Sequence, residues 1–330
     1  MNILITGSAG FIGRHLVKAL VKEGHHCRCL VRKASNIEEL KKLENIEFVY
    51  GDIRNRESLR GVVKDMDIVY HLAAIGHVSS VSNKTYEMYR VNNLQGTKNL
   101  VEECLEIPIK RFIYFSSTAA MGLLKLPIVD ESAVCCPKTL HQTSKHDCEE
   151  LLMKYWYEFK FPVIIMRPCM VYGHTAKGEF YKTVKLVDRG IFPRVGKGKN
   201  LTPIVHVDDV VQAVILAMNK SRLGEAYIIA SEKSYELSKL WNITVDSLED
   251  KRTYFYIPTT VAKLVAFVCE LIAKTYGGIP LVNRRNIEST VTDRVFSIEK
   301  AKKELGYTPK VNLEEGIKQT VKWYKENGYL

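Results

Sequence analysis

Residues 6–13 read Thr-Gly-Ser-Ala-Gly-Phe-Ile-Gly, directly after the β-branched run Asn2–Thr6 and at the start of a helical pattern, Ile12–Lys22. Three glycines at this spacing, framed by a strand and a helix, restrict the fold more than any other feature of the chain. Gly7 permits a tight turn, Gly10 lets backbone approach a diphosphate, and Gly13 lets the helix pack closely on the sheet. The first turn of the helix then offers free amides and the positive end of its dipole to phosphate. The expectation is a dinucleotide-binding unit; a plain strand–turn–helix is the alternative.

The next 160 or so residues support that frame by their alternation of strand and helix patterns. Strands are expected at His26–Val31, Ile46–Tyr50, Asp67–Leu72, Arg111–Ser116 and Pro162–Arg167. Helical patterns lie between them, the longest at Thr85–Glu106, and another long helix is expected at about His141–Phe159. Alternation of this kind predicts an α/β fold, a doubly wound parallel sheet of Rossmann type. Segment 177–200 reads as a helix followed by a loop. Pro203–Val207, a helix at Asp208–Asn219 and a strand at Glu225–Ala230 return the chain to the sheet, and from Ser231 the pattern is mostly helical. The expected division is a Rossmann domain of residues 1–175 plus about 204–230, and a smaller substrate lobe of 176–203 and 231–330.

Composition narrows the class further. Of 330 residues, 46% are hydrophobic and 26% charged, which excludes a disordered or fibrous chain. The net charge of +11 favours anionic partners. The basic residues are scattered and match no nucleic-acid motif, so no nucleic-acid partner is expected. The eight cysteines form no CxxC pair, and most read as small buried hydrophobes in a reducing compartment. No basic leader precedes the first strand, and no apolar run reaches the roughly 18 residues of a spanning helix. A cytoplasmic protein is expected. His206, Asp208 and Asp209 lie at a strand-to-helix junction where an aspartate would cap the helix, and no metal site is expected. In Ile257–Tyr276, Lys263, Glu270 and Lys274 share one helical face, with Leu264, Phe267, Val268, Leu271 and Ile272 broadly opposite. Packing within its own lobe is the expected role, and a membrane-surface or greasy-substrate contact is the alternative.

At the end of the second strand, where an acidic residue would bind a ribose diol, stand Arg32 and Lys33, with Ser35 nearby. A cationic fork suits a 2′-phosphate, so NADP(H) is favoured and NAD(H) remains possible. The alternative is a solvated charge pair. Asp52, in Gly51-Asp52-Ile53, could accept from an adenine amino group or serve only as a turn aspartate. The small residues of His71-Leu72-Ala73-Ala74 would let backbone approach the cofactor.

These pieces, with VNNLQGT at 91–97, FSSTAAMG at 115–122, RPCMVYG at 167–173, IVHVDDVVQA at 204–213 and ELGYTPKVNLEEGI at 304–317, resemble the extended short-chain dehydrogenase/reductases. Within these the chain looks like the NAD(P)-dependent epimerase/dehydratase family, near its dihydroflavonol reductase and 3β-hydroxysteroid dehydrogenase branch. The resemblance implies cofactor contacts from Gly7, Ser8, Gly10, Phe11, Ile12, Gly13, Arg32, Asp52 and Ile53. It adds Leu72, Ala73, Ala74, Asn92, Ser116, Lys145 and Pro168. It also implies a homodimer through the helices at Thr85–Glu106 and His141–Phe159.

The family places a Ser/Thr at the end of the fifth strand and Tyr-x-x-x-Lys on the next long helix. Here Thr118 is the substrate-facing hydroxyl, with Ser117 as fallback, and Lys145 takes the lysine position. The tyrosine position holds His141. Histidine is a competent acid–base group near neutral pH, but its ring reaches roughly 2 Å less far than a phenol. Three readings stay open: His141 is the acid/base, another group such as Tyr172 is, or the fold binds nucleotide as a sensor or assembly protein. The leading expectation is an NAD(P)-dependent oxidoreductase or epimerase/dehydratase acting on a lipophilic or sugar-derived alcohol or carbonyl compound. Met170 stands where sugar-nucleotide enzymes place Asn, and Thr202 where many place Arg. Met170, Met121 and the amphipathic helix at 257–276 suggest an apolar pocket instead. Lys177, Lys182, Lys185, Arg194, Lys197 and Lys199 could rim the cleft or form a solvated basic face.

Overall fold

The structure, a computed structural model, describes residues 1–76, 82–248, 255–276, 280 and 282–330. Seven strands form one parallel sheet: β1 (Asn2–Thr6), β2 (His26–Val31), β3 (Ile46–Tyr50), β4 (Ile68–His71), β5 (Arg111–Phe115), β6 (Val163–Pro168) and β7 (Glu225–Ile229). Their spatial order is β3-β2-β1-β4-β5-β6-β7. Chain order reverses between β1 and β4, where Thr6 lies opposite His71. In sheets of this kind ligands bind at that reversal, beyond the carboxyl ends of the strands.

The helices are α1 (Phe11–Lys22), α2 (Asn83–Tyr89), α3 (Gly96–Leu105), α4 (Leu140–Phe159), α5 (Glu179–Asp188), α6 (Val207–Lys220), α7 (Leu237–Ser247), α8 (Thr259–Tyr276), α9 (Arg284–Val291), α10 (Glu299–Leu305) and α11 (Leu313–Glu326). Alternation along β1 divides them between the two faces. Ile3 and Ile5 pack with Leu16 and Leu20 of α1 and Val210 and Val214 of α6. Leu4 packs with Leu100 of α3 and Leu152 of α4. A separate cluster, built on Tyr172, Trp241 and Tyr324, joins α5, α7 and α11 in the helical C-terminal region.

Three expected elements differ. Thr85–Glu106 is not one helix: a π-helical stretch, Arg90–Gln95, separates α2 from α3. Asn92 there turns its amide back to the Met88 carbonyl, and Asn93 bonds to a neighbouring loop (2.8 and 2.7 Å). Residues 204–206 do not enter the main sheet. They pair with Met170–Tyr172, because the chain peels away after β6 while β7 occupies the edge. In α8 only Ala262 and Ala266 are buried, and its large apolar side chains face outward.

Cys27, Cys29, Cys104, Cys148 and Cys169 are buried free thiols. Burial pushes those of Cys27, Cys29 and Cys169 up to about 12, which makes them inert. Among the described residues no helix is long and apolar enough to cross a membrane, and no group of acidic, histidine or cysteine side chains could hold a metal.

Candidate active site

The glycine loop bends back over the sheet at the reversal. Gly7 has φ +71°, and a Cβ there would lie 2.7 Å from the Ala73 amide. Gly10 begins α1 without any side-chain cap and with no acidic residue in the first turn, so the opening amides are free for phosphate. Beside the loop is a cavity of about 370 Å3. Gly7, Gly10, Arg32, Asp52, Ile53, Leu72, Ala73, Ala74 and Asn92 line it, as does Ser35. The cavity, the glycine loop and the uncapped helix suit an elongated dinucleotide. Ser8, Phe11, Ile12 and Gly13 are not on its wall. Ser8 is fully buried, its hydroxyl against the Cys29 thiol, so it can serve a ligand only through backbone. Gly13 has a packing role: its Cβ would lie 2.2 Å from the Gly7 carbonyl oxygen.

Arg32 is exposed at the end of β2, its amide bonded to the Ser35 hydroxyl (3.1 Å). Asp52 lines the cavity, yet it also forms a turn in which the Arg54 amide and guanidinium donate to its carboxylate (3.0 and 2.6 Å). Those bonds hold its carboxyl below the usual range, and Arg32 adds to the effect.

A second group gathers at the carboxyl ends of β5 and β6. Lys145 of α4 is buried, and its Nζ donates to the Phe115 carbonyl (2.7 Å) above the Tyr114 ring. Burial lowers its pKa, while Cys148 and Glu149 act the other way. Ser116 has a buried hydroxyl without a partner among the described residues. Ser117 caps the turn Thr118–Met121 and bonds to the Pro168 carbonyl (3.4 Å), and that turn packs on α4. His141, one turn before Lys145, is half-buried with its ring 6.0 Å from that of Tyr89.

Buried polar residues that sequence reasoning missed join the two groups. Thr6 accepts from the Ala73 amide (3.1 Å) and donates to His71 Nδ1 (2.7 Å). His71 Nε2 donates to Thr97 (2.9 Å), which reaches Cys148 on α4 (3.9 Å). This direction of donation needs a neutral imidazole, and burial lowers the His71 pKa to about 3, with Lys145 adding to the shift. Asn93 accepts from the Ile75 amide (2.7 Å) and donates to Ser144 (3.1 Å), the neighbour of Lys145. Arg14 clamps the glycine loop to the loop after β2 through the carbonyls of Ala9 and Asn36 (both 2.9 Å).

Residues 3–230 match the NAD dependent epimerase/dehydratase family. The chain belongs to that family.

Family membership makes the chain an NAD-dependent enzyme of the epimerase/dehydratase kind. Human dTDP-D-glucose 4,6-dehydratase is 28% identical, covering 99% of this chain and 90% of the relative. An Arabidopsis thaliana 3beta-hydroxysteroid-dehydrogenase/decarboxylase is 27% identical, covering 96% and 78%. The crystal structure of UDP-glucuronic acid 4-epimerase from Bacillus cereus, solved with UDP-glucuronic acid and NAD, superimposes with a TM-score of 0.82 at 25% identity. It covers 99% of this chain and 100% of that one.

The structure corrects several expectations within this family frame. Tyr172 is buried in the C-terminal cluster, with its hydroxyl where a Cβ on Gly316 would lie, and burial raises its pKa. Met121 is fully buried in the main core because its turn folds inward, so it lines no apolar pocket. His206, not an aspartate, caps α6, while Asp209 holds the amides of Lys310 and Val311 (2.7 and 3.3 Å). The basic residues expected at a cleft rim are dispersed. Lys182 pairs with Glu179 (2.7 Å), Lys177 and Lys185 lie over Tyr329 and Tyr181, and Arg194 lies over Trp241.

Proposed function

We propose that this enzyme prefers NADP(H) and acts on a secondary alcohol or carbonyl group of a lipophilic or sugar-derived small molecule. The end of β2 carries the cofactor reading. There the cavity is lined by Arg32, Ser35 and Asn36 and by no carboxylate. Asp52, at the end of β3, is already neutralised by Arg54. A guanidinium in that place favours a 2′-phosphate.

The bound nicotinamide would give or take a hydride; the protein supplies position and protons. His141 holds or releases the proton on the substrate oxygen, and Thr118 orients that oxygen. Lys145, anchored by the Phe115 carbonyl, keeps its remaining donors for the cofactor ribose. The network through His71, Thr97 and Asn93 fixes α4 against the glycine loop, so that the proton-handling side chains and the cofactor cavity keep one geometry. The family's named relatives act on both kinds of substrate, a steroid in one case and sugar nucleotides in others.

Fluorescence titration with NADPH and NADH tests the reading. NADPH should bind tighter, and Arg32→Ala should weaken it about tenfold or more while leaving NADH unchanged. Equal affinities in the wild type would overturn the preference. In a carbonyl and alcohol screen, His141→Ala should lower turnover by about 10²-fold or more. Wild-type turnover in that variant would remove histidine from the mechanism, and nucleotide binding without turnover on any substrate would favour a sensor.

A further inference from the structure

We infer that α8 is a docking face for anionic lipid bilayers, lying flat in the headgroup region. Its packing is inverted relative to an ordinary amphipathic helix. The buried stripe is Ala262 and Ala266, small side chains that bring the helix close to α9 and its neighbours. The outward face carries Val261, Leu264, Val265, Phe267, Val268, Leu271 and Ile272, exposed by between 40% and 62%. On a 100° wheel they fall on one continuous arc, opposite the alanines. A contiguous exposed apolar surface of this kind marks an interaction site.

Three observations select lipid over a protein partner. Six of its seven side chains are aliphatic, and the arc itself carries no Trp, Tyr or Arg, the residue types that dominate protein interfaces. Aromatic rings mark both ends: Phe255 and Tyr256 before the helix, 59% and 57% exposed, and Tyr276 at its end, 86% exposed. Aromatic side chains prefer the level of the headgroups. The charge is also complementary to anionic lipid. Lys263 and Lys274 are exposed on the flank of the arc. The one carboxylate of α8, Glu270, is neutralised by Arg284, whose Nε donates to it at 2.8 Å. The whole chain carries +11. The helix is too polar to cross a bilayer, which leaves the interfacial orientation. Through α9 the face is tied to the chain entering α4, since the Arg285 guanidinium donates to the Lys138 carbonyl (2.8 Å).

The test is co-sedimentation of the full chain with vesicles of phosphatidylcholine alone and of equal parts phosphatidylcholine and phosphatidylglycerol. Wild type should pellet with the anionic vesicles and much less with the neutral ones. A Leu264→Asp/Leu271→Asp variant should lower the partition coefficient about tenfold or more. Both positions are exposed, so Tm and dinucleotide affinity should not change. Lys263→Glu/Lys274→Glu should weaken binding to anionic vesicles only, and added salt should do the same to wild type. Wild type left in the supernatant with anionic vesicles would overturn the inference. Undiminished binding by the aspartate variant would place the contact elsewhere and overturn it too. A wild type that ignores vesicles but loses mass in solution when the aspartates are introduced would make the face a protein–protein contact instead.

Discussion

At Gly13 the molecule has no room for a single added carbon: a Cβ would lie 2.2 Å from the Gly7 carbonyl oxygen and 2.8 Å from Ser8 Cα, both backbone atoms that no side-chain rotation can clear. Gly24 is the control. It is left-handed, φ +81°, but nothing stands within 4 Å of its would-be Cβ. Gly24→Ala should therefore cost only the left-handed backbone term, roughly 1–2 kcal/mol, and leave dinucleotide affinity unchanged. Gly13→Ala should push the loop off its seat and reduce that affinity by about tenfold or more even where the chain still folds. Thermal melts with NADPH titration separate the two, and normal binding by Gly13→Ala would refute the packing role. The glycines were legible because a turn and a close helix approach are properties of a local pattern. Arg14, Thr97 and Asn93 were not, because each acts through a partner distant in sequence: Asn36, His71 and Ile75.

Among the elements, α4 bears the most constraint. It starts in a complete capping box, Thr139 with Gln142, and its middle is bound to β6 by a bidentate pair, Glu149 with Arg167 (3.0 and 2.6 Å). Both partners are buried, with side chains 4% and 10% exposed. Removing the charge of one leaves the other desolvated and unpaired, so Glu149→Gln should destabilise by about 3–5 kcal/mol. Paired replacement of both by apolar residues should cost much less. Denaturant unfolding distinguishes the cases, and a Glu149→Gln variant within about 1 kcal/mol of wild type, a margin typical of surface sites, would show the pair to be solvated. Such pairs explain why element type is easier to read than element detail. The strands of the parallel sheet announce themselves as apolar runs, but the π-helical stretch Arg90–Gln95 reads as ordinary helix. Its apolar spacing is helical, and side-chain bonds to Met88 and Ile75 set its winding instead. The outward face of α8 is illegible for a related reason: a hydrophobic arc states that apolar side chains share a side, not that protein covers it.

For the whole molecule, buried histidines set the response to acid. His71 lies between Thr6 and Thr97 with Lys145 as the nearby charge, and burial lowers its pKa to about 3. His206 lies where α1, the turn after Tyr172 and α6 meet, faced by Asp208, His174 and His15, and burial lowers its pKa to about 4. Burial also lowers that of His174. The pKa values of His71 and His206 are thus below the ordinary 6.5, so between them and 6.5 the unfolded chain binds more protons than the folded one. Stability is then fully present above about pH 6.5 and is lost as pH falls toward about 4, at up to roughly 1.4 kcal/mol per pH unit for each histidine. The Asp208 carboxyl, held down chiefly by its bond to His15, acts in the same direction only at lower pH. Tm measured from about pH 7 to pH 5, above the carboxylate range, should fall. His206→Asn keeps an acceptor for the Asp208 amide and removes one titrating ring. That variant should flatten the curve across this window and leave the plateau above about pH 7 nearly unchanged. An identical slope in wild type and variant would mean that the protonated ring is accommodated at the junction, and that acid acts on this fold elsewhere.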